Sequence, residues 1–245
     1  MDLDMGHRIS FHQTVATTLN LNQRQIFALQ IVCHKLDKHR ANSSGTKPLL
    51  LFVSGEGGPG KSWVVAALSA VFAVLNQGHR LLVTATSGTA AANINGITIH
   101  SACHLFQNKI QRRQAPTDGF GGTGCRLDGE IKAEWRERGL LVIDEISVLG
   151  AATLFAFNTG LHHFRDSDDD FGGMPIVMFC GDFHQFRPVT EGSIVLPSTP
   201  RMTLQNRYEH DQAHALWLRF TTVILLEEQV RAAGDVRLQQ LLHRI

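Results

Sequence analysis

The sequence predicts an α/β fold in which helices cover both faces of a parallel sheet. Five apolar segments predict strands, at residues 49–53, 80–85, 140–143, 175–180 and 222–226. Segments with helical spacing lie between them, and strands that are apolar throughout are typical of a sheet buried on both faces. The 245 residues suffice for one large domain, or for one domain and part of another.

Charge and cysteine content restrict the classes of function. The formal net charge of +1 gives no overall basic field, so a nucleic-acid site has to be local. The four cysteines form no C-x-x-C pair; Cys33 and Cys180 lie in apolar segments and predict buried thiols in a reducing, intracellular compartment. We find no signal peptide and no apolar segment as long as a membrane span.

Residues 55–62, GEGGPGKS, match the phosphate-loop pattern G-x-x-x-x-G-K-[ST] at every fixed position. A predicted strand precedes them and a predicted helix, residues 63–75, follows. Backbone N–H groups of such a loop and of the helix start bind phosphate. Lys61 would reach the outer phosphates of a nucleotide, and the Ser62 hydroxyl would ligate Mg²⁺. A glycine-rich turn with a chance lysine is the alternative, which the flanking elements disfavour.

Acidic and amide side chains follow two other predicted strands. Asp144 and Glu145 come directly after residues 140–143, at the sheet edge where α/β proteins bind ligands. Asp144 is suited to holding Mg²⁺ through water, and Glu145 to polarising an attacking water. Gln185 follows residues 175–180 and is placed to sense a γ-phosphate. A solvated charge at a strand end is the alternative for the acidic pair.

Other polar segments carry weaker signals. Ser87 precedes small residues that suggest a helix start, which would bind a second anion such as a DNA phosphate. The basic cluster at residues 109–113 and the acidic loop at residues 166–170 are more typical of solvated surfaces than of a DNA contact and a metal site, respectively. Gln25 lies in the first turn of a helix predicted from Asn22, where a surface glutamine is the alternative to a functional one.

The order of these motifs resembles the PIF (petite integration frequency) family of superfamily 1 5′-to-3′ DNA helicases, which includes helitron-type transposon helicases. The most specific matches are residues 84–101, TATSGTAAANINGITIHS, and residues 181–189, GDFHQFRPV. Weaker matches are DEIS at residues 144–147, LNxxQ at residues 21–25, and residues 226–231. The resemblance extends over residues 21–245.

The resemblance implies a RecA-like phosphate-loop NTPase fold and an ATP-dependent helicase of DNA repair, recombination and telomere maintenance. It implies ATP and Mg²⁺ as cofactors, single-stranded DNA as partner, no membrane, and the nucleus if the source is eukaryotic. Gln25 would bind adenine, Gln185 would couple the γ-phosphate to DNA, and Arg231 would act as an arginine finger. The implied nucleotide contacts are Gln25, Gly57, Gly58, Pro59, Gly60, Lys61 and Ser62. The implied DNA contacts are Thr84, Ser87, Thr89, His100 and Ser101.

The same resemblance divides the chain and exposes two departures. Residues 1–20 are expected to be a lead-in, residues 21–220 a first motor domain with a surface excursion at about 102–138, and residues 221–245 the start of a truncated second one. Pro59 stands where the family usually has threonine, which predicts weaker nucleotide binding by about 1 to 2 kcal/mol. Arg187 replaces the first proline of a Pro-Pro pair. The alternatives are a phosphate-loop ATPase without a DNA role, and a non-enzymatic remnant of a transposon helicase.

Overall fold

The structure is a computed structural model that describes residues 13–41, 47–55, 60–102, 129 and 132–227, and a six-stranded sheet lies at their centre. The strands are β1 (Leu49–Ser54), β2 (Leu81–Ala85), β3 (Ile97–Thr98), β4 (Leu140–Asp144), β5 (Ile176–Gly181) and β6 (Thr222–Leu225). Their order across the sheet is β3-β2-β4-β5-β1-β6, and every pairing is parallel. The carboxyl ends of all six strands therefore lie at one edge.

Helices connect the strands and pack on both faces of the sheet. They are α1 (Gln23–Ala41), α2 (Lys61–Val74), α3 (Gly88–Asn93), α4 (Ala151–Arg165) and α5 (Leu204–Leu218). Apolar side chains of α1 and α2 contribute to one core cluster, and those of α4 and α5 contribute to another. Short helical stretches occur at residues 13–18, 99–102 and 132–137.

The central strands β4 and β5 supply alternate residues to the two core clusters. In β4, Leu140 and Val142 belong to the cluster with α1 and α2, whereas Leu141 and Ile143 belong to the cluster with α4 and α5. All four side chains are fully buried. Burial of both faces explains why the sequence pattern of these strands is apolar throughout instead of alternating.

The predicted parallel α/β fold is confirmed, and the strand segments agree closely. Strand β3 has no counterpart among the predictions, because a two-residue strand is too short to produce a periodic pattern. Cys33 and Cys180 are buried free thiols, as predicted. Within the described ranges, no helix is both long and apolar enough to cross a membrane.

Both ends of the predicted first domain differ in the structure. Within the expected lead-in, residues 13–18 are helical and Val15 and Ala16 are buried in the core. The predicted boundary at residue 221 precedes β6, whose Thr222 to Leu225 pair with Leu51 to Ser54 of β1. These four residues extend the first sheet, so a second-domain start remains a prediction only for the chain that follows them.

Strand β6 forms one edge of the sheet over the described residues. Its side chains alternate between buried and exposed: Ile224 is 4% exposed, whereas Val223 is 50% and Leu225 is 49% exposed. One face of this edge strand therefore presents apolar side chains to solvent.

The acidic loop at residues 166–170 is held by ion pairs. Asp166 contacts both Lys132 and Arg136, and Asp170 contacts Arg219 at 2.7 Å. Across the portions of the chain that the structure describes, no cluster of three or more metal-ligating side chains was found. Asp166, Asp168 and Asp169 are exposed, as the expectation of a solvated loop predicts, and ion pairs hold two of the loop's carboxylates in addition.

Candidate active site

The predicted catalytic groups come from the ends of three neighbouring strands. Strand β5 lies between β1 and β4, and parallel pairing aligns their carboxyl ends. Lys61 follows β1, Asp144 ends β4, and Gln185 follows β5. This is the edge of an open α/β sheet at which ligands bind.

The phosphate-loop lysine is anchored within its own loop. Lys61 Nζ donates a hydrogen bond to the Gly55 carbonyl oxygen at 2.6 Å, so the ammonium group lies over the start of the loop. Lys61 is the first residue of α2, and Gly60 precedes it with φ +86°, a left-handed conformation that favours glycine. Ser62 is exposed in the first turn of α2, where its hydroxyl is accessible to a ligand.

Gln25 is buried, so the alternative of a surface glutamine is wrong. Its backbone N–H donates to Asn22 Oδ1, and its Oε1 accepts from the Asn22 N–H, both at 2.9 Å. This reciprocal pair is a capping box at the start of α1. Gln25 Nε2 also donates to the Gly60 carbonyl oxygen at 3.2 Å. The start of α1 is therefore fastened to the end of the phosphate loop.

Gly60 leaves no room for a side chain because of this contact. A Cβ atom at position 60 would lie 2.1 Å from Gln25 Nε2, well inside van der Waals contact. Position 60 therefore favours glycine for two reasons: its left-handed backbone conformation and the close contact with Gln25 of α1. An adenine-binding role for Gln25 remains a prediction.

Asp144 is a buried carboxylate with an unsatisfied oxygen. Its side chain is 5% exposed, and its buried Oδ1 has no hydrogen-bond partner among the residues that the structure describes. Burial raises the pKa of Asp144 from 3.8 to about 6; the neighbouring Glu145 carboxylate adds to the rise, while a backbone hydrogen bond from Glu145 and the Lys61 ammonium oppose it. Lys61 and Asp144 are therefore close enough to interact electrostatically.

A magnesium ion fits this environment. Mg²⁺ prefers oxygen ligands and is commonly held by one or two carboxylates together with substrate phosphates. The orphaned Asp144 Oδ1 is such a ligand, and a divalent cation would offset the free energy that burial of the charge costs.

Glu145 occupies a strained backbone position. Its φ of 55° and ψ of 45° lie in the left-handed region, which residues other than glycine, asparagine and aspartate seldom adopt. Its carbonyl oxygen accepts a hydrogen bond from Thr86 Oγ1 at 3.2 Å. This turn directs the chain out of β4 and leaves the Glu145 side chain partly exposed beside the buried Asp144. Strain of this kind is concentrated at functional sites.

The loop that carries Gln185 is anchored by an aromatic contact. The Phe183 ring lies 5.5 Å from that of Phe52 in β1 and 4.8 Å from that of Trp217 in α5. Gln185 itself is exposed, and its N–H donates to the Asp182 carbonyl oxygen at 3.1 Å. The glutamine is thus held near the sheet edge with its side chain accessible.

Four of the five predicted DNA contacts lie on the surface, and one does not. Ser87, Thr89, His100 and Ser101 are exposed beyond the paired ends of β2 and β3. Thr84 is fully buried, and its hydroxyl donates to the Val142 carbonyl oxygen at 2.8 Å. The prediction of Thr84 as a DNA contact is therefore wrong for this structure, because its side chain points into the sheet between β2 and β4.

The exposed residues also perform local structural tasks. Ser87 caps α3, its hydroxyl oxygen accepting from the Ala90 N–H at 3.2 Å. Thr98 Oγ1 accepts from the Ser101 N–H at 3.0 Å and lies 2.7 Å from Ser101 Oγ. Thr98 was not among the predicted residues, although its position before a helical stretch is a capping signal.

Several predicted residues lie outside the described residues. These are Gly57, Gly58, Pro59 and Arg231, together with the basic cluster at 109–113. Their roles stay predictions.

Comparison with known proteins gives a consistent result. A family model described as PIF1-like helicase matches residues 18–240. The ATP-dependent DNA helicase PIF1 of Saccharomyces cerevisiae is 29% identical over 201 residues, covering 80% of this chain and 21% of the relative. The human ATP-dependent DNA helicase PIF1 is 29% identical over 157 residues, covering 64% of this chain and 22% of the relative.

Solved structures agree with the fold. The crystal structure of Pif1 helicase from Candida albicans superposes with a TM-score of 0.60 at 25% identity, covering 91% of this chain and 43% of that one. A Bacteroides Pif1 helicase in complex with ADP-AlF3 and single-stranded DNA gives a TM-score of 0.51 at 21% identity, covering 82% and 43%. The chain spans about a fifth of the length of the yeast and human PIF1 helicases to which it is similar.

Proposed function

The chain belongs to the family of PIF1-like helicases, and we propose that it is a motor domain of an ATP-dependent 5′-to-3′ DNA helicase. The observation that carries the proposal is the convergence of Lys61, Asp144 and the Gln185 loop at the ends of three neighbouring strands. Such a convergence provides a phosphate anchor, a buried metal ligand and a sensor loop in one cleft. A role in DNA repair, recombination or telomere maintenance is the finer assignment that the family resemblance suggests.

Each side chain has a defined task in this proposal. Lys61 exchanges its hydrogen bond with the Gly55 carbonyl for phosphate oxygens of ATP. Ser62 and Asp144 would hold Mg²⁺, which when bound would supply positive charge against the phosphates. Glu145 orients the attacking water and draws its proton, for which its partly exposed carboxylate beside Asp144 is suited.

Two further groups would complete the reaction. Gln185 contacts the γ-phosphate from the loop after β5 and transmits its presence to the DNA surface. Arg231 would stabilise negative charge in the transition state, as arginine fingers do. In this proposal Lys61, Ser62, Asp144 and Gln185 bind the nucleotide from one sheet, whereas unwinding also requires a second motor domain.

The surface formed by Ser87, Thr89, His100 and Ser101 is the proposed contact with single-stranded DNA. Hydroxyl groups and backbone N–H groups bind phosphate oxygens without reading the base sequence. The surface adjoins Glu145 through the hydrogen bond from Thr86. This connection offers a route by which nucleotide state changes DNA affinity.

The proposal is tested by linked binding of DNA and nucleotide. Fluorescence anisotropy of a labelled oligothymidine, measured with ADP and with a non-hydrolysable ATP analogue, should give affinities that differ by about fivefold or more. The logarithm of the association constant should fall linearly with the logarithm of salt concentration, and duplex DNA is the matched control. Nucleotide binding without DNA affinity would instead favour a phosphate-loop ATPase with no DNA role.

Thr84→Val is expected to leave DNA affinity within about twofold of the parent. Loss of the buried hydrogen bond to the Val142 carbonyl should lower the free energy of unfolding by about 1 kcal/mol. His100→Ala is the comparison variant and should weaken DNA binding while leaving stability nearly unchanged. The same anisotropy assay and urea unfolding measure both effects; a large loss of DNA affinity in Thr84→Val would contradict the buried placement.

A further inference from the structure

Helix α4 obtains its N-terminal cap from a distant part of the chain. The N-cap residue Gly150 has no side chain to offer, and no side-chain cap is present there. Instead, Glu191 Oε2 accepts from the Thr153 N–H at 2.9 Å, and Glu191 Oε1 accepts from Thr153 Oγ1 at 2.7 Å. A carboxylate at a helix start satisfies free N–H groups and interacts favourably with the helix dipole.

The surrounding backbone is shaped to receive this carboxylate. A Cβ atom at position 150 would lie 2.0 Å from Glu191 Oε2 and 2.4 Å from Glu191 Cβ. The Ala151 N–H donates to the Gly192 carbonyl oxygen at 3.0 Å, and Gly150 forms an antiparallel bridge with Ser193. Glycine at position 150 therefore permits a close junction between two segments that are about forty residues apart.

The two segments joined here begin at the carboxyl ends of the neighbouring strands β4 and β5. Helix α4 continues from Asp144 and Glu145 through the short 3₁₀ helix Ile146–Val148. Glu191 lies in the loop that starts after β5 and carries Gln185. At its start this loop is anchored by Phe183, whereas Phe186 and Val189 are 83% and 95% exposed and contribute little packing. Further along the loop, the Glu191 side chain is fixed by its two hydrogen bonds to Thr153.

The rest of the loop is fastened to a different helix. His210 and His214 of α5 bond the carbonyl oxygens of Leu196 and Ile194, each at 2.7 Å. These contacts secure the loop to α5 but do not connect it with α4. Among the described residues, Glu191 provides side-chain hydrogen bonds that tie the Gln185 loop to the segment after the catalytic acids, beside the backbone contacts of Gly192 and Ser193.

We propose that Glu191 is a positioning residue of the ATP site. Its carboxylate fixes the Gln185 loop relative to the turn of Asp144 and Glu145, so that both segments meet the γ-phosphate in one arrangement. This inference rests on the proposed ATP-binding function. It predicts that Glu191 matters for ATP and not for ADP, because ADP lacks the phosphate on which the two segments converge.

The test compares affinities for Mg²⁺-ADP and a non-hydrolysable Mg²⁺-ATP analogue by calorimetry on the full 245-residue chain. Glu191→Ala is expected to reduce the preference for the triphosphate by about five- to tenfold while ADP affinity stays within about twofold. Gly150→Ala should reproduce the effect, because its methyl group displaces the carboxylate. Thr153→Val removes the hydrogen bond of the Thr153 hydroxyl, and Glu191→Gln removes the negative charge while its amide can still bond Thr153. Each should give an intermediate loss.

His214→Gln is the matched control, since it alters a contact between the loop and α5 and should keep the triphosphate preference. Thermal melting of each variant separates loss of folding from loss of discrimination. If Glu191→Ala does not fold, the milder Glu191→Gln and Thr153→Val decide the question.

The possible outcomes separate failure of the positioning role from failure of the proposed ATP-binding function. An unchanged triphosphate preference in the Glu191 and Gly150 variants overturns the positioning role, as does an equal loss of affinity for both nucleotides. Absence of any Lys61-dependent nucleotide binding in the parent overturns the proposed function itself, and the positioning role with it.

Discussion

Lys61→Ala is expected to weaken binding of ATP by at least about 100-fold, because hydrogen bonds from a charged donor contribute about 1.5 to 3 kcal/mol each. In the structure, Lys61 Nζ donates a hydrogen bond to the Gly55 carbonyl oxygen at 2.6 Å, so the ammonium group is already held at the first residue of the loop. Little ordering is then required when phosphate replaces the carbonyl. Calorimetric titration with Mg²⁺-ATP measures the loss directly.

Two further variants test whether the loss of ATP affinity is specific to the Lys61 ammonium group. Lys132→Ala removes a lysine that pairs with Asp166 on the surface, and its ATP affinity should match the parent. Lys61→Arg retains the positive charge but replaces a compact ammonium with a planar group, so a partial loss is expected. Equal ATP affinity in Lys61→Ala and the parent would show that the phosphate-loop lysine does not bind ATP, and would contradict the proposed function.

Asp144→Asn is expected to change how stability depends on pH, by on the order of 3 kcal/mol. The folded protein raises the pKa of Asp144 from 3.8 to about 6, and each unit corresponds to about 1.4 kcal/mol. Between these values the folded state holds a proton that the unfolded chain has released. Stability from this group is therefore fully present below about pH 4 and is lost as pH rises through about 6.

Urea unfolding without Mg²⁺ or nucleotide measures this effect at several pH values. The free energy of unfolding of Asp144→Asn, relative to the parent, should increase from pH 4 to pH 7.5, because asparagine carries no charge to desolvate. Asp168→Asn, at an exposed carboxylate, is the matched control. A difference between Asp144→Asn and the parent that stays constant over this range would show that burial of the charge has little effect on stability.

The sequence was sufficient for most of the fold because local patterns determine it. The segment 140–143 predicted β4, which the structure bounds as Leu140–Asp144, since an apolar run before two acids is unambiguous. The helix predicted at 63–75 begins two residues earlier, at Lys61, because the left-handed Gly60 and not an apolar residue sets its start. Asn22 and Gln25 also carried a readable signal, since their spacing matches a capping box.

The remaining features depend on contacts that no local pattern encodes. Glu191 and Thr153 are distant in sequence, and nothing near either residue indicates the other. Thr84 carries a hydroxyl like the exposed Ser87 and Thr89 of the same motif, and only the pairing of β2 with β4 determines that its hydroxyl is buried. The motif match therefore identified a segment of chain, but the sheet determines which of its side chains reach the surface.

Strand β6 has a practical consequence for handling the protein. Among the described residues it is an edge strand that exposes Val223 and Leu225, and apolar edge strands readily add a strand from another molecule. We expect the isolated chain to self-associate at high concentration, with an apparent molar mass from light scattering that rises with protein concentration. Val223→Lys places a charge on this edge and should suppress the association, which would provide a monodisperse sample for crystallisation.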